Sequence, residues 1–169
     1  EGNYESKKLL TSTSSKMKLK NKKSDFIVNS GRYGFFRVKY DPETLENLSL
    51  LVDEKILDDV DRWALQNDLF AQCIAGLKKL QNYLDFITSY HDEDNYITLL
   101  NLTHNLYHIY KLTHKEKFSN EIRSYVTDFL GVIFDQLGWD AKKNEPHTHA
   151  MLRSVIINAL GKLGDQDIL

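Results

Sequence analysis

The chain has 169 residues, of which 41% are hydrophobic and 27% are charged, and its formal net charge is −2. These are the proportions of a globular protein, and the length suits one domain with a real core. No apolar run approaches the roughly 18 residues that a membrane span needs, and the polar first residues show no signal peptide. A single cysteine, Cys73, excludes an internal disulfide. We therefore expect a cytoplasmic protein without a membrane segment.

Charge is divided unevenly along the chain. Residues 1–39 contain ten Lys or Arg and three Asp or Glu, a balance of +7, whereas residues 40–169 contain twelve and twenty-one, a balance of −9. A basic arm on an acidic body could bind nucleic acid, but no aromatic side chains accompany the lysine run as a stacking platform. Lysines on exposed strand edges protect against aggregation. We interpret the arm in that way and expect no nucleic-acid partner.

The first part of the chain has the pattern of short strands. Residues 7–13 are one candidate strand, and a second begins at Met17 and ends at a turn over residues 21–24. So few strands do not make an independent sheet with a core of its own. We therefore interpret residues 1–41 as the remnant of a β-sandwich domain. Because the chain begins with Glu1 rather than methionine, we expect it to have been cut from a longer protein.

Two further candidate strands, residues 26–28 and 35–40, are predicted to pair as an antiparallel hairpin. In the second of them apolar and charged side chains alternate with a period of two, which is typical of a half-buried strand. Gly31 and Gly34 bracket the residues between the two strands. Glycine accepts positive φ, so a tight turn can form there.

Helical periodicity begins at Pro42 and continues over residues 42–169. Asp41 is a favourable N-cap, and a proline at the first helical position loses no hydrogen bond. The pattern predicts six helices, over residues 45–52, 58–74, 80–90, 96–110, 115–137 and 146–163. Glycines 76, 138 and 164 end the second, fifth and sixth helices.

The helices are predicted to form a helical-repeat domain over residues 42–169. Their starts recur in antiparallel pairs, which is compatible with an α–α superhelix of the HEAT or armadillo kind. The sixth helix is apolar over a wide arc and no polar capping helix follows it, so we expect further helices downstream. The predicted fold class is thus mainly α, with helix pairs preceded by a short antiparallel β segment.

The motif that most resembles a metal site is His104-Asn105-Leu106-Tyr107-His108. Two histidines four residues apart share a helix face and can bind zinc, as in the H-E-x-x-H peptidases. Here Asn105 stands where those peptidases have glutamate, and an amide cannot take a proton from metal-bound water. We interpret His104 and His108 as residues at the edge of an apolar face rather than as zinc ligands.

Three other candidates are also interpreted as structural. His147 and His149 flank a helix start, where a protonated histidine is disfavoured. Residues 92–94, Asp-Glu-Asp, lack the glycine and glutamate that a calcium loop requires, so they are predicted to form a solvated turn between helices. Cys73 has no histidine nearby in sequence and is predicted to be an inert packing residue.

Two arginines, Arg62 and Arg153, interrupt apolar helical patterns. An arginine in such a position usually pairs with a carboxylate on a neighbouring helix, and Asp61, Asp68 or Glu145 could serve. The alternative is that one of the arginines binds a peptide carboxylate. No residue of this chain is predicted to be catalytic, to bind a cofactor or to bind a metal.

Four blocks of the sequence, in order, resemble a known family. They are residues 29–41 (NSGRYGFFRVKYD), residues 61–76, Glu93 with Tyr96, and the run Leu137-Gly138-Trp139, Glu145, His147, Leu152-Arg153. Together they resemble the M1 family of zinc aminopeptidases, in the part that follows the catalytic domain. The likeness covers residues 26–169. The first block is similar to the family's last β-sandwich strand, and the second to the first long helix of its C-terminal helical domain.

The resemblance implies a piece of an enzyme. The family's zinc motif and its motif for the substrate amine lie upstream, so none of its catalytic residues can be carried onto this chain, and zinc is implied for the parent enzyme only. The implied fold is a small β-sandwich joined to a curved helical array that closes over the active site. The implied partners are the remainder of the parent chain and peptide substrates.

The sequence therefore predicts a non-catalytic C-terminal part of an M1 aminopeptidase, inactive alone, that shapes substrate access. A second hypothesis is a stand-alone helical-repeat adaptor that binds a protein partner in its concave groove. A third is a metal-dependent hydrolase that uses His104 and His108.

Overall fold

In a computed structural model, which describes residues 11–16, 26–165 and 168, the chain folds into α-helices joined by short loops. The helices are α1 (Pro42–Asp53), α2 (Asp59–Ile74), α3 (Leu80–Ile87), α4 (Tyr96–Thr113), α5 (Ser119–Leu137) and α6 (His147–Leu163). Two short 3₁₀ helices, Ser30–Arg32 and Thr88–Tyr90, lie before α1 and directly after α3.

Polar side chains cap the first turns of α1 and α4. The Asp41 carboxylate accepts the backbone N–H of Thr44 at 3.0 Å, and Pro42 occupies the first helical position of α1. The Asn95 side chain accepts the N–H of Thr98 at 3.1 Å and begins α4 in the same way. The six helices are therefore confirmed, with their order and approximate bounds.

One boundary differs from the prediction. Helix α5 was expected from residue 115 but begins at Ser119. The backbone N–H of Glu116 donates to Thr113 O at 2.9 Å, and that of Ser119 donates to Glu116 O at 3.1 Å. These bonds close turns of three residues instead of an α-helical turn, so the connection from α4 extends further than the periodicity indicates.

The predicted β segment is not shown. The expected strands over residues 7–13 and from Met17 lie mainly outside the described residues, and residues 11–13 are not in a strand. Residues 26–28 and 35–40 are described and contain no strand, so the predicted hairpin is wrong. The division of the chain at residue 41 into two domains stays a prediction.

Side chains take the place of a strand partner in this segment. The N–H of Val38 donates to Asp68 Oδ2 at 3.0 Å, and its carbonyl accepts from Gln72 Nε2 at 2.9 Å. Asn29 has a left-handed backbone (φ 61°), and its side chain bonds the N–H and the carbonyl of Gly34 at 2.7 and 2.8 Å. Because side chains satisfy these backbone groups, no ladder of bonds joins the two predicted strands.

Helices that are two apart in the chain pack together. Helix α2 contacts α4, and α4 contacts α6, while α3 contacts α2 and α5 contacts α4 and α6. This arrangement is consistent with the predicted helical repeat. The core lies between these helices, and its fully buried side chains include Leu102, Leu106, Val126, Leu130 and Ile156.

The longest helices are α4 and α5, and neither has the character of a membrane span. Helix α5 carries Glu121, Arg123, Asp128 and Asp135 within 19 residues. In the described parts of the chain, no helix combines the length and the apolar character needed to cross a bilayer.

Candidate functional site

Helix α2 has five buried polar side chains, which are Asp61, Arg62, Gln66, Asp68 and Gln72. Burying a charge is costly unless it is paired and hydrogen-bonded. The partners of these side chains therefore show which parts of the chain α2 holds in place.

Asp61 binds the 3₁₀ helix that precedes α1. Its carboxylate accepts the hydroxyl of Ser30 at 2.6 Å and the backbone N–H of Gly31 at 2.8 Å. Gly31 has φ +70°, a left-handed conformation that favours glycine. A glycine at this position therefore lets the backbone turn so that its N–H points at the carboxylate.

Asp68 binds the next part of the same segment. One carboxylate oxygen lies 2.8 Å from Arg32 Nη2 and 3.1 Å from Arg37 Nη1, and the other accepts the N–H of Val38 at 3.0 Å. The Arg32 guanidinium also lies 5.8 Å from the centre of the Trp63 ring, a cation–π distance. Asp61 and Asp68 together fasten residues 30–38 to α2.

Arg62 forms a buried, bidentate pair with Glu93. Its Nε and Nη2 atoms lie 2.7 and 2.8 Å from the two carboxylate oxygens, and the side chains are 5% and 2% exposed. Nη1 donates to Leu57 O at 2.7 Å, and Nη2 also binds Asp59 at 2.9 Å. The hydrogen bonds to Glu93 raise the pKa of Arg62 further above its usual range.

This pair corrects two predictions. Glu93 is not among Asp61, Asp68 and Glu145, the carboxylates that the sequence offered to the two arginines, and the run 92–94 was expected to be a solvated turn. Glu93 instead turns inward, because its carboxylate also accepts the N–H groups of Asp94 and Asn95 at 3.0 and 2.9 Å. The buried Glu93 carboxylate therefore connects the α3–α4 loop to Arg62 on α2.

Arg153 pairs with Glu145, one of the three carboxylates that the sequence offered to the two arginines. The guanidinium contacts both carboxylate oxygens, at 3.0 and 2.7 Å. It also donates to the carbonyls of Gly138 and Leu137 at 2.8 and 3.2 Å, at the C-terminal end of α5. Both Arg62 and Arg153 are thus fully engaged within the chain, and neither guanidinium is available to a peptide carboxylate.

The Glu145 pair gives an expected pH dependence of stability. The hydrogen bond from Arg153 lowers the pKa of Glu145 from 4.5 to about 2. A lowered folded-state pKa contributes stability that is complete above pH 4.5 and is lost as the pH falls toward 2. We expect Glu145→Gln to lower the urea midpoint at about pH 6 and to lower it much less at about pH 3. An equal loss at both values would contradict this assignment.

The two histidines of the candidate zinc motif are both exposed on α4. The His108 ring meets Phe70 edge-on at 6.0 Å. Asn105 points away from them into the core, where its amide donates to Gln66 Oε1 at 3.0 Å and to Tyr83 Oη at 3.3 Å. The asparagine therefore belongs to a buried network that joins α2, α3 and α4.

The other candidates from the sequence have ordinary surroundings. His147 is exposed and His149 half-buried at the start of α6. Burial raises the pKa of the Cys73 thiol, which lies 3.3 Å from Lys79 O, so the thiol stays protonated. Within the residues that the structure describes, no three His, Cys, Asp or Glu side chains form a set that could hold a metal ion.

A groove between α4 and α6 is the second candidate site. It has a volume of about 280 Å³, and its polar lining comes from Thr103, His104 and Tyr107 on α4 and from Ser154, Asn158 and Lys162 on α6. Sequence reasoning did not find this groove. A signal was present, because neither helix contains a single Asp or Glu although residues 40–169 carry a balance of −9.

Comparison with known proteins identifies the family. The family model described as "ERAP1-like C-terminal domain" matches residues 26–169. The chain is 32% identical over 149 residues to Aminopeptidase M1-A of Oryza sativa subsp. japonica, and 31% identical over 146 residues to Aminopeptidase M1 of Arabidopsis thaliana. It is also 28% identical over 138 residues to Tricorn protease-interacting factor F2 of Thermoplasma acidophilum.

The extent of these matches shows which part of the relatives is present. They cover 86%, 84% and 82% of this chain but only 17%, 16% and 17% of the relatives. The chain thus spans about one sixth of the length of the relatives it matches. It belongs to the ERAP1-like C-terminal domain family and corresponds to the C-terminal region of M1 aminopeptidases.

Proposed function

We propose that this chain is the non-catalytic C-terminal part of a zinc-dependent M1 aminopeptidase and that it shapes the access of peptides to the parent's active site. The observation that carries the proposal is the family match over residues 26–169 together with the small share of the relatives that it covers. The chemistry of the parent, removal of the N-terminal residue of a peptide, then belongs to segments outside this chain.

The described residues fit a structural role in such an enzyme. Among them, no three His, Cys, Asp or Glu side chains form a set that could hold the family's zinc ion. Two buried carboxylates of helix α2 bind residues 30–38 and hold this segment against the helices. A rigid junction of this kind would fix the angle at which the helical array meets the preceding part of the parent.

An activity assay tests the first half of the proposal. The purified chain, incubated with zinc and an aminoacyl-anilide, is expected to show no turnover above a blank without protein. Turnover that a chelator abolishes would overturn the proposal and would favour the hydrolase hypothesis built on His104 and His108.

Variants of the parent enzyme test the second half. We expect Asp68→Ala, which loosens the junction, to change the ratio of turnover between a long peptide and an aminoacyl-anilide. The anilide is too short to reach beyond the catalytic site, so its turnover should change little. Asp135→Ala, at an exposed site on α5, is the matched control. An unchanged ratio in the Asp68 variant would contradict a role in peptide access.

A further inference from the structure

We propose that this chain binds a second copy of itself, with the basic edge of one copy against the acidic edge of the next. The basic edge consists of residues 74–79, at the end of α2, and residues 112–118, between α4 and α5. The acidic edge consists of residues 53–60, between α1 and α2, and residues 91–97, between α3 and α4. The two edges lie at opposite ends of α2 and α4, so the copies stack along these helices.

The two loops of the acidic edge are in direct contact. Lys55 Nζ in the first loop lies 3.5 Å from Asp92 and 3.2 Å from Asp94 in the second. Asn95 Nδ2, at the start of α4, donates to Asp59 Oδ2, at the start of α2, at 2.8 Å. The starts of the two helices therefore lie side by side and form one surface.

The two loops of the basic edge also lie side by side. The Phe70 ring on α2 meets the His108 ring on α4 edge-on at 6.0 Å. Ile74 and Leu112 follow these residues by one helical turn each. Helices α2 and α4 therefore run in the same direction, and the loops that follow them share the opposite end of the fold.

The two edges carry opposite charge. With histidine counted as neutral, the basic edge has four lysines and one glutamate, a balance of +3. The acidic edge has one lysine and, apart from the buried Glu93, six exposed carboxylates, a balance of −5. These are Asp53, Glu54, Asp58, Asp59, Asp92 and Asp94. Complementary potentials of this kind steer association and fix the orientation of the partner.

Both edges also expose large apolar side chains, each between 47% and 61% exposed. Those of the basic edge are Ile74, Leu77, Leu112 and Phe118, and those of the acidic edge are Ile56, Val60 and Ile97. Exposed ion pairs alone contribute little to affinity, so burial of these side chains supplies most of the attraction. A second copy thus offers each edge both the opposite charge and an apolar surface. Because the edges differ, the contact is head-to-tail and leaves one edge of each sign open to a further copy.

Sedimentation equilibrium of the whole chain at low ionic strength tests the proposal, because salt screens exposed charges. We expect the weight-average mass to rise above that of one chain as the protein concentration is raised, and to fall back when salt is added. A mass that stays at one chain at every concentration would overturn the proposal. The measurement involves no peptide and no catalytic segment, so its result is independent of the proposed function.

Charge reversals assign the contact to the two edges. Lys115→Glu with Lys117→Glu reverses the basic edge, and Glu54→Lys with Asp92→Lys reverses the acidic edge. All four side chains are exposed, so the variants are expected to fold. Each variant alone should bind itself at least about ten-fold more weakly, since like charges then meet. An equimolar mixture of the two should associate again, because the intact basic edge of one meets the intact acidic edge of the other.

Lys142→Glu with Lys143→Glu is the matched control. It changes the net charge as much as the basic-edge variant does, but it lies in the α5–α6 connection, outside both edges. The control should not weaken association. Equal weakening by the control and the basic-edge variant, or no recovery in the mixture, would overturn the proposal. So would a chain that stays monomeric and binds vesicles containing phosphatidylserine through Lys115 and Lys117, since the partner of the basic edge would then be a lipid surface.

Discussion

Glu93→Ala is expected to lower the free energy of unfolding by about 3–5 kcal/mol, the usual cost of breaking a buried ion pair. The change leaves the Arg62 guanidinium, which is 5% exposed, without its bidentate partner. It also removes the acceptor for two backbone N–H groups at the start of α4. Urea unfolding followed by circular dichroism measures the loss.

Controls separate the effect of charge from that of packing. Lys55→Ala, which breaks the solvent-exposed pairs with Asp92 and Asp94 in the same connection, should cost no more than about 1 kcal/mol. The double change Arg62→Met with Glu93→Leu should cost less than Glu93→Ala alone, because no unpaired charge remains. If Glu93→Ala costs no more than Lys55→Ala, the pair does not hold the α3–α4 connection in place.

The helices were predictable because their signals are local. The Asp41 and Asn95 caps lie within three residues of the groups they bind. The apolar spacing that predicts each helix is likewise contained in a few turns. Local periodicity can therefore give the number and order of the helices.

The hairpin prediction was wrong because it depended on a local alternating pattern, whereas the hydrogen-bond partners of this segment are distant in the sequence. Val38 and Gly31 bond to carboxylates about 30 positions away on α2. An alternating pattern indicates that one face of a segment is buried, but it does not say what supplies the hydrogen-bond partners. Here helix side chains supply them.

The same limit applies to the candidate sites. Arg153 pairs with Glu145, which is eight positions away and was one of the three candidate carboxylates. Arg62 pairs with Glu93, which is 31 positions away and was not among them. The α4–α6 groove depends on two helices that only the fold brings together. The lack of acidic residues in both helices was visible in the sequence, but it has no meaning until they are known to be neighbours.

The buried polar residues of α2 act as a single connecting element. Arg62 faces the α3–α4 connection, and Asp61 and Asp68 face the segment before α1. Between these contacts, Gln66 joins Tyr83 on α3 and Asn105 on α4. Through these polar contacts α2 joins most of the first half of the described fold. Removing one of its polar side chains should therefore weaken only the part of the chain that this side chain binds.

Asp68→Ala is expected to release the segment before α1 while the helices stay folded. The change removes one carboxylate that binds two guanidinium groups and one backbone N–H, at 2.8, 3.1 and 3.0 Å. Hydrogen bonds to charged groups contribute about 1.5–3 kcal/mol each and are not additive, so we expect a loss of roughly 3 kcal/mol. That loss corresponds to a roughly hundred-fold larger open population of the segment.

Limited trypsin digestion measures this opening, since Arg32 and Arg37 lie within the segment and cleavage follows the open population. The cleavage rate at these sites should rise about a hundred-fold in Asp68→Ala. Asp68→Asn keeps one acceptor for the Val38 N–H but loses the charge, so its rate should fall between the two. Asp135→Ala should leave the rate unchanged. Equal rates in the wild type and in Asp68→Ala would show that the carboxylate does not hold the segment on α2.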